Sequence, residues 1–282
     1  MSNYKRVLFT KAAVLSIGLI FYFPGRAQDT TRHSIDSSKP RVFYQRELYP
    51  NMQAKAMSTP TGWGSWGTFL FGYLGGTFPQ AYTNQPDLVA GVGFGFGDSY
   101  KGISVVSILN INNVSDFKTF SASFIASRHI GQGTSLSVGA LNILANKVSD
   151  ATAALYVAVS HASQEVRSKE PGYSGLSYTI GVGSGRFWDN SPQDISKGRS
   201  EHGTGVFGNI SYGILKGLNL NAEWDGNNMG LGASWRPPSL GNSHFQMPSF
   251  SASVVDLLRT SGDRPRLLLS IAQAITLSKK SK

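Results

Sequence analysis

The chain has 282 residues, no cysteine, 15% charged residues and 32 glycines. Soluble domains average about 25% charged residues and about 7% glycine, so an ordinary soluble enzyme is disfavoured, and without thiols there is neither a disulfide framework nor a thiolate metal site. The formal charge of +10 reflects 26 basic residues; once Lys5, Arg6, Lys11 and Arg26 leave with a leader, 22 face 16 acidic residues, net +6, too dispersed for the basic stripe of a nucleic-acid binder.

The N-terminus has the build of a secretory leader. Lys5, Arg6 and Lys11 precede an apolar run from Ala12 to Phe23, and Gly25 and Ala27 stand at −3 and −1 from a cut before Gln28. The run is shorter than the roughly 20 residues of a spanning helix. Residues 1–27 are therefore assigned as signal peptide. Residues 28–62 are polar, carry Pro40, Pro50 and Pro60, and lack any alternation. They read as a periplasmic lead-in, a lumen plug or a disordered stretch.

From residue 63 to 277 the dominant pattern is alternation with period two. In "DLVAGVGFGFGD" (87–98), Gly91, Gly93, Gly95 and Gly97 take one face, opposite Ala90, Val92, Phe94 and Phe96. A dinucleotide loop needs its glycines out of step at a strand-to-helix turn; these stay in step, so the stretch is a strand with a bare face. Leu218, Leu220, Ala222 and Trp224 likewise oppose Asn219, Asn221, Glu223 and Asp225. The pattern predicts strands at 66–77, 87–97, 101–111, 117–129, 135–144, 153–163, 175–187, 204–214, 218–226, 229–236, 249–257 and 266–277. "GQGT", "LKG" and "DGNN" supply hairpin turns, and the longest connection is expected at 188–203. Strands of this length, with one apolar and one polar face, predict an all-β, antiparallel, up-and-down transmembrane β-barrel of about 12 strands. A soluble secreted β-sandwich is the alternative. Residues 278–282 form a basic tail.

Trp66, Trp188, Trp224 and Trp235 fall at strand ends, where membrane–water girdles place aromatics. On the inward phase, Gly91, Gly93, Gly95 and Gly97 leave room along one lumen wall. Arg186, Glu223, Asp225 and Arg236 are expected as lumen-facing charges, with the two carboxylates meeting Arg236 on the neighbouring strand.

The motifs "GVGFGFGDSYKGISV", "IGVGSGRFW", "LNLNAEWDGNNMGLGASWRP" and "GDRPRLLLSI" resemble a poorly characterised family of bacterial outer-membrane β-barrel proteins, some grouped with exopolysaccharide-associated export barrels. The likeness spans roughly residues 62–277. It implies an outer-membrane location but no catalytic residues, no cofactor and no metal. Many outer-membrane barrels close on a terminal aromatic; here the last strand ends at Leu277 and runs on into "SKKSK".

Other candidate chemistry is sparse. His161 and Ser163 have the H-x-S spacing of a lipid hydrolase on a barrel's outer wall. Asp194, Glu201 and His202 could place metal ligands in one loop, but no rigid element fixes three of them. His33, His129, His161, His202 and His244 are scattered along the chain. The expected function is a non-enzymatic outer-membrane barrel, a narrow or plugged pore associated with export. A structural or interaction barrel with a filled lumen and a barrel-borne lipid hydrolase are the alternatives. The expected partners are outer-membrane lipid and a polysaccharide or small solute, with no nucleic acid and with partner proteins unassigned.

Overall fold

The computed structural model describes residues 47–51, 57–115, 117, 119–145, 152–237 and 245–277. Residues 1–46, with the expected signal peptide, residues 52–56 and the basic tail at 278–282 lie outside the described residues. Twelve strands follow in order: β1 (Phe69–Phe78), β2 (Asp87–Gly97), β3 (Ser104–Ile111), β4 (Phe120–Gly131), β5 (Thr134–Ile143), β6 (Ala154–Ala162), β7 (Leu176–Gly183), β8 (Val206–Leu215), β9 (Leu218–Trp224), β10 (Met229–Trp235), β11 (Ser249–Val255) and β12 (Arg266–Thr276). Each pairs antiparallel with its sequence neighbour. β1 closes on β12, from Phe69 opposite Thr276 to Phe78 opposite Leu267, so the ring has no free edge.

The alternation decides which face goes where. Val92 and Ile180 are exposed at 61% and 62% on the outside, as are Phe94, Leu109, Ile210, Leu220 and Leu231. The inward phase carries Ser121, Ser123, Ser127, Ser135, Ser137 and Ser160, all buried. An apolar exterior around a polar interior inverts a soluble barrel and is the arrangement that lipid requires. Among the described residues no helix is long and apolar enough to cross a membrane; the strands do the crossing.

β1 begins and β12 ends at what is called here the near end, which also carries the connections after even-numbered strands. Connections after odd-numbered strands gather at the far end. The longest, residues 184–205, follows β7. β7 stops at Gly183 rather than running to 187, because Gly185 turns to φ +58° and opens a single 3₁₀ turn, Gly185–Phe187. The same connection holds a short helix, α1 (Pro192–Ser196). Ser191 caps it by accepting from the Asp194 amide, and proline takes the first turn.

Candidate functional site: the lumen and its inserted segment

Residues 47–51 and 57–66 lie against the lumen wall. At the near end, Glu47 contacts Nε2 of His129 at 2.8 Å and accepts from the Gly133 amide. Leu48 exchanges hydrogen bonds with the Gln164 amide, N to Oε1 at 2.8 Å and Nε2 to O at 3.1 Å. Tyr49 forms a parallel bridge to Tyr173, and Asn51 donates to Oδ1 of Asn219 at 3.0 Å. The rings of Tyr49 and His129 flank Tyr100, whose phenol is pushed up by burial.

The deepest described contact is at Glu223, 4% exposed and one residue short of the far end of β9. Its carboxylate accepts from the backbone amides of Met57, Ser58 and Thr59, at 3.1, 3.0 and 3.2 Å, and from the Thr59 hydroxyl at 3.2 Å. Thr59 also accepts from Asn209 at 3.3 Å. The segment then turns back. Ser137 donates to the Thr61 carbonyl at 2.8 Å, the Gly62 amide donates to Ser160 at 2.7 Å and the Ser65 amide to Ser104 at 3.1 Å. A Cβ on Gly62 would stand 2.4 Å from the Ser135 carbonyl, so the wall admits only glycine there.

These contacts share one logic. The wall offers short hydroxyl, amide and carboxylate side chains, and the inserted chain answers mainly with its backbone. A buried charge is tolerable where it accepts several N–H bonds, and such charge-assisted bonds are the strong ones.

The structure redistributes the other residues singled out from the sequence. Gly91, Gly93 and Gly95 face inward, but they do not leave room. The rings of Tyr73, Phe71 and Phe69 on β1 lie over them, and an added Cβ would meet those rings at 2.3, 2.2 and 2.2 Å. Gly97 sits at the strand end with φ +95°.

The expected charge cluster does not form. Glu223 stands opposite Gly230, whereas Arg236 follows the Trp235–Leu218 pair and donates its amide to Gly217. Six residues at about 3.3 Å each separate the two levels by roughly 20 Å. The strands are adjacent, as expected, but the turn sets a register that puts the two charges at opposite ends. Arg236 instead lies at the near end, its guanidinium pKa lowered by burial against the pull of Tyr173 and Glu170. Asp225 is not on a lumen strand; it closes the β9–β10 turn by accepting from the Asn227 and Asn228 amides at 2.9 and 2.7 Å. Arg186 lies in the 3₁₀ turn beyond β7, against the Phe187 ring.

Trp66 and Trp235 fall at the near end, and Trp188 and Trp224 at the far end. Trp235 stacks on Phe250, Trp188 on His202, and Trp224 donates to Thr204. His161 is on the outer wall, its Nδ1 2.8 Å from the Thr134 hydroxyl, while Ser163 accepts from the Glu165 and Val166 amides of the next turn. Asp194 is bound to Arg199, and His202 lies 3.4 Å from Asp189. Among the described residues no group of three metal-ligating side chains is gathered. His33 and His244 lie outside the described residues.

Four far-end connections are tied together around Asp194, which is 3% exposed. Burial pushes its carboxyl up, but hydrogen bonds from Tyr82, Ser191, the Gly262 amide and Arg199 outweigh that and hold it below the ordinary range. Asp256, paired with Arg266 at 2.5 Å, is raised: burial outweighs the attraction of Arg266. A cavity of about 200 Å³ opens among Tyr82, Asp189, Asp225, Asn227, Asp256 and Arg266. Sequence reasoning singled out neither Glu47, His129, Asn209 and Ser160 as anchors nor Asp256 and Arg266 as a pair. Glu47, His129, Asn209 and Ser160 act through partners far away in the chain, and Asp256 and Arg266 pair across the β11–β12 connection.

No protein-family model matches the chain, and no curated protein matches it in sequence. Among solved structures it is similar to the KdgM porin, at 10% identity and a TM-score of 0.46, over 74% of this chain and 99% of that one. A second structure, the KdgM porin in complex with disordered oligogalacturonate, gives 8% identity and 0.45 over 74% and 99%. Outer membrane phospholipase A from Escherichia coli gives 11% identity and 0.38, over 74% of this chain and 96% of that one. The outer-membrane-barrel fold rests on the closed ring of twelve antiparallel strands and its apolar exterior.

Proposed function

We propose that this chain is a non-enzymatic outer-membrane barrel, an export-associated conduit held shut by its own N-terminal segment. The observation that carries this is the grip of Glu223 on three successive backbone amides of that segment, deep within the ring. A chain that merely trailed past the near end would have no use for a buried carboxylate there. The non-enzymatic reading is supported by Ser163, whose hydroxyl accepts from turn amides; among the described residues no hydrogen bond links it to His161. Lipid surrounds the apolar exterior, and the solute is a polysaccharide or a small molecule. The direct test is conductance of the purified mature chain in planar bilayers. Small or no single-channel currents are expected, rising when residues 28–62 are deleted. Large, steady currents from the intact mature chain would refute the closed-lumen reading.

A further inference from the structure

We infer that the lumen wall between the grips of Asn51 and Thr59 is a binding site for a neutral, polyhydroxylated ligand, a carbohydrate in chemical class, that competes with those grips. This rests on the closed-lumen reading above. One cross-strand row runs Ser177–Ser211–Asn221–Gly232–Ser253, each residue opposite the next through the β7–β8, β8–β9, β9–β10 and β10–β11 pairings. Among the described residues, the hydroxyls of Ser177, Ser211 and Ser253 and Oδ1 of Asn221 are buried with no hydrogen-bond partner, and so is Nδ2 of Asn219, one level nearer the near end. All five residues are 4% exposed or less. Buried polar groups are ordinarily paired, so five unpaired ones in one patch mark a surface built for a partner other than the barrel itself.

The row lies between two places where the segment grips the wall, Asn51 on Asn219 and Thr59 on Asn209. A ligand occupying the row stands between these two grips and competes with them for the wall. The chemistry of the row selects the class. Hydroxyls both donate and accept, Asn221 offers an acceptor and Asn219 a donor, and neighbouring strands space them about 4.8 Å apart. A chain of sugar hydroxyls matches such an alternation. Strands β7 to β11 contain no Lys or Arg, and Glu223 is the acidic group they carry, so along the row an anionic polymer meets repulsion from Glu223 and no counter-charge short of Arg236 at the near end. Across the ring, β1 presents the rings of Phe69, Phe71 and Tyr73 over their glycines, an apolar face suited to the C–H side of a sugar ring.

The chain has no cysteine, so Ser58→Cys gives a single thiol on the seated segment. The mature protein is reconstituted in liposomes, and its labelling rate by a membrane-impermeant maleimide is measured alone and with neutral hexasaccharides (malto-, cello- and xylohexaose). A galacturonate hexamer serves as the anionic comparison. At least one neutral sugar is expected to speed labelling about tenfold, the factor that corresponds to about 1.4 kcal/mol of preference for the open state; the anionic oligomer is expected to leave it unchanged. The triple variant Ser177→Ala, Ser211→Ala and Ser253→Ala is expected to keep the slow basal rate and lose the response. Rapid labelling without sugar overturns the closed-lumen reading itself. Slow labelling that no neutral sugar changes leaves that reading standing and overturns this inference. An equal response to the anionic oligomer, or a triple variant that still responds, overturns it as well. If the variant fails the heat-modifiable mobility check for a folded barrel, the neutral-against-anionic comparison on the parent decides alone.

Discussion

The two ends of this barrel are closed by different physics. From the near end inward a single segment is held mainly by its backbone, against serines and asparagines of the wall and, deepest, the buried Glu223 carboxylate. At the far end four connections hold one another through side chains. Asn228 donates to the carbonyls of Leu258 and Ser261 at 2.8 and 2.9 Å, Arg264 donates to Asn84 at 2.9 Å, Lys197 lies over the Tyr82 ring at 4.4 Å, and Asp194 is bound to Arg199. A segment held at points along its backbone can leave as a unit when its grips fail. A mutual tie among four loops has no single element to release. On the function proposed above, the segment is the element expected to move.

The largest expected effect tests that contrast directly. Glu223→Ala leaves three amides and the Thr59 hydroxyl without their acceptor, at about 1–3 kcal/mol for each buried group left unpaired. Bilayer currents are expected to rise strongly, with no change in protease cleavage of residues 184–205. Unchanged currents would break the comparison at its main point. Asp194→Ala is the mirror experiment. It strands the Arg199 guanidinium, and a charged hydrogen bond is worth about 1.5–3 kcal/mol. Cleavage within residues 188–203 should accelerate while currents stay small; currents that rise would mean the far end is also a gate.

Gly93→Ala probes the wall apart from either closure. Its Cβ would lie 2.2 Å from the Phe71 ring, and overpacking of this kind costs about 1–3 kcal/mol. A loss of that size in urea unfolding, recovered in part by Phe71→Leu, is expected; an unaffected Gly93→Ala barrel would show that the ring lies elsewhere.

The smallest effect is one of pH at the far end. Asp194 has a folded pKa below its unfolded value, so its contribution is present above about pH 3.9 and is lost as pH falls through the depressed value. Asp256 is raised, so its contribution is present below about pH 3.9 and is lost as pH rises through the raised value. Hydrogen-exchange protection of the Ile195 and Gly262 amides, corrected for intrinsic rates, should therefore peak near pH 4. Asp256→Asn should flatten the alkaline side of that peak and Asp194→Asn the acid side. A monotonic profile in the parent would show that these carboxyls do not govern the tie.

The strands and their facing were legible in the sequence because both are local. Alternation is written residue by residue: Asn219, Asn221 and Glu223 turn inward wherever their strand lies, because successive side chains of any strand point to opposite faces. That sufficed for twelve strands, for the apolar exterior and for the long connection after β7. Register is a property of two strands and a turn together, so the place of Arg236 relative to Glu223 was settled only in the folded ring. The same holds for the glycine face, which is bare on β2 alone and filled once the β1 rings lie over it. The inserted segment was the least legible part, and for a physical reason. Its polar stretch, with Pro50 and Pro60, suggested a plug as readily as a loose lead-in. Its described residues meet wall groups 39 to 168 residues away in the chain, which grip mainly backbone amides and carbonyls that nearly every residue type presents alike.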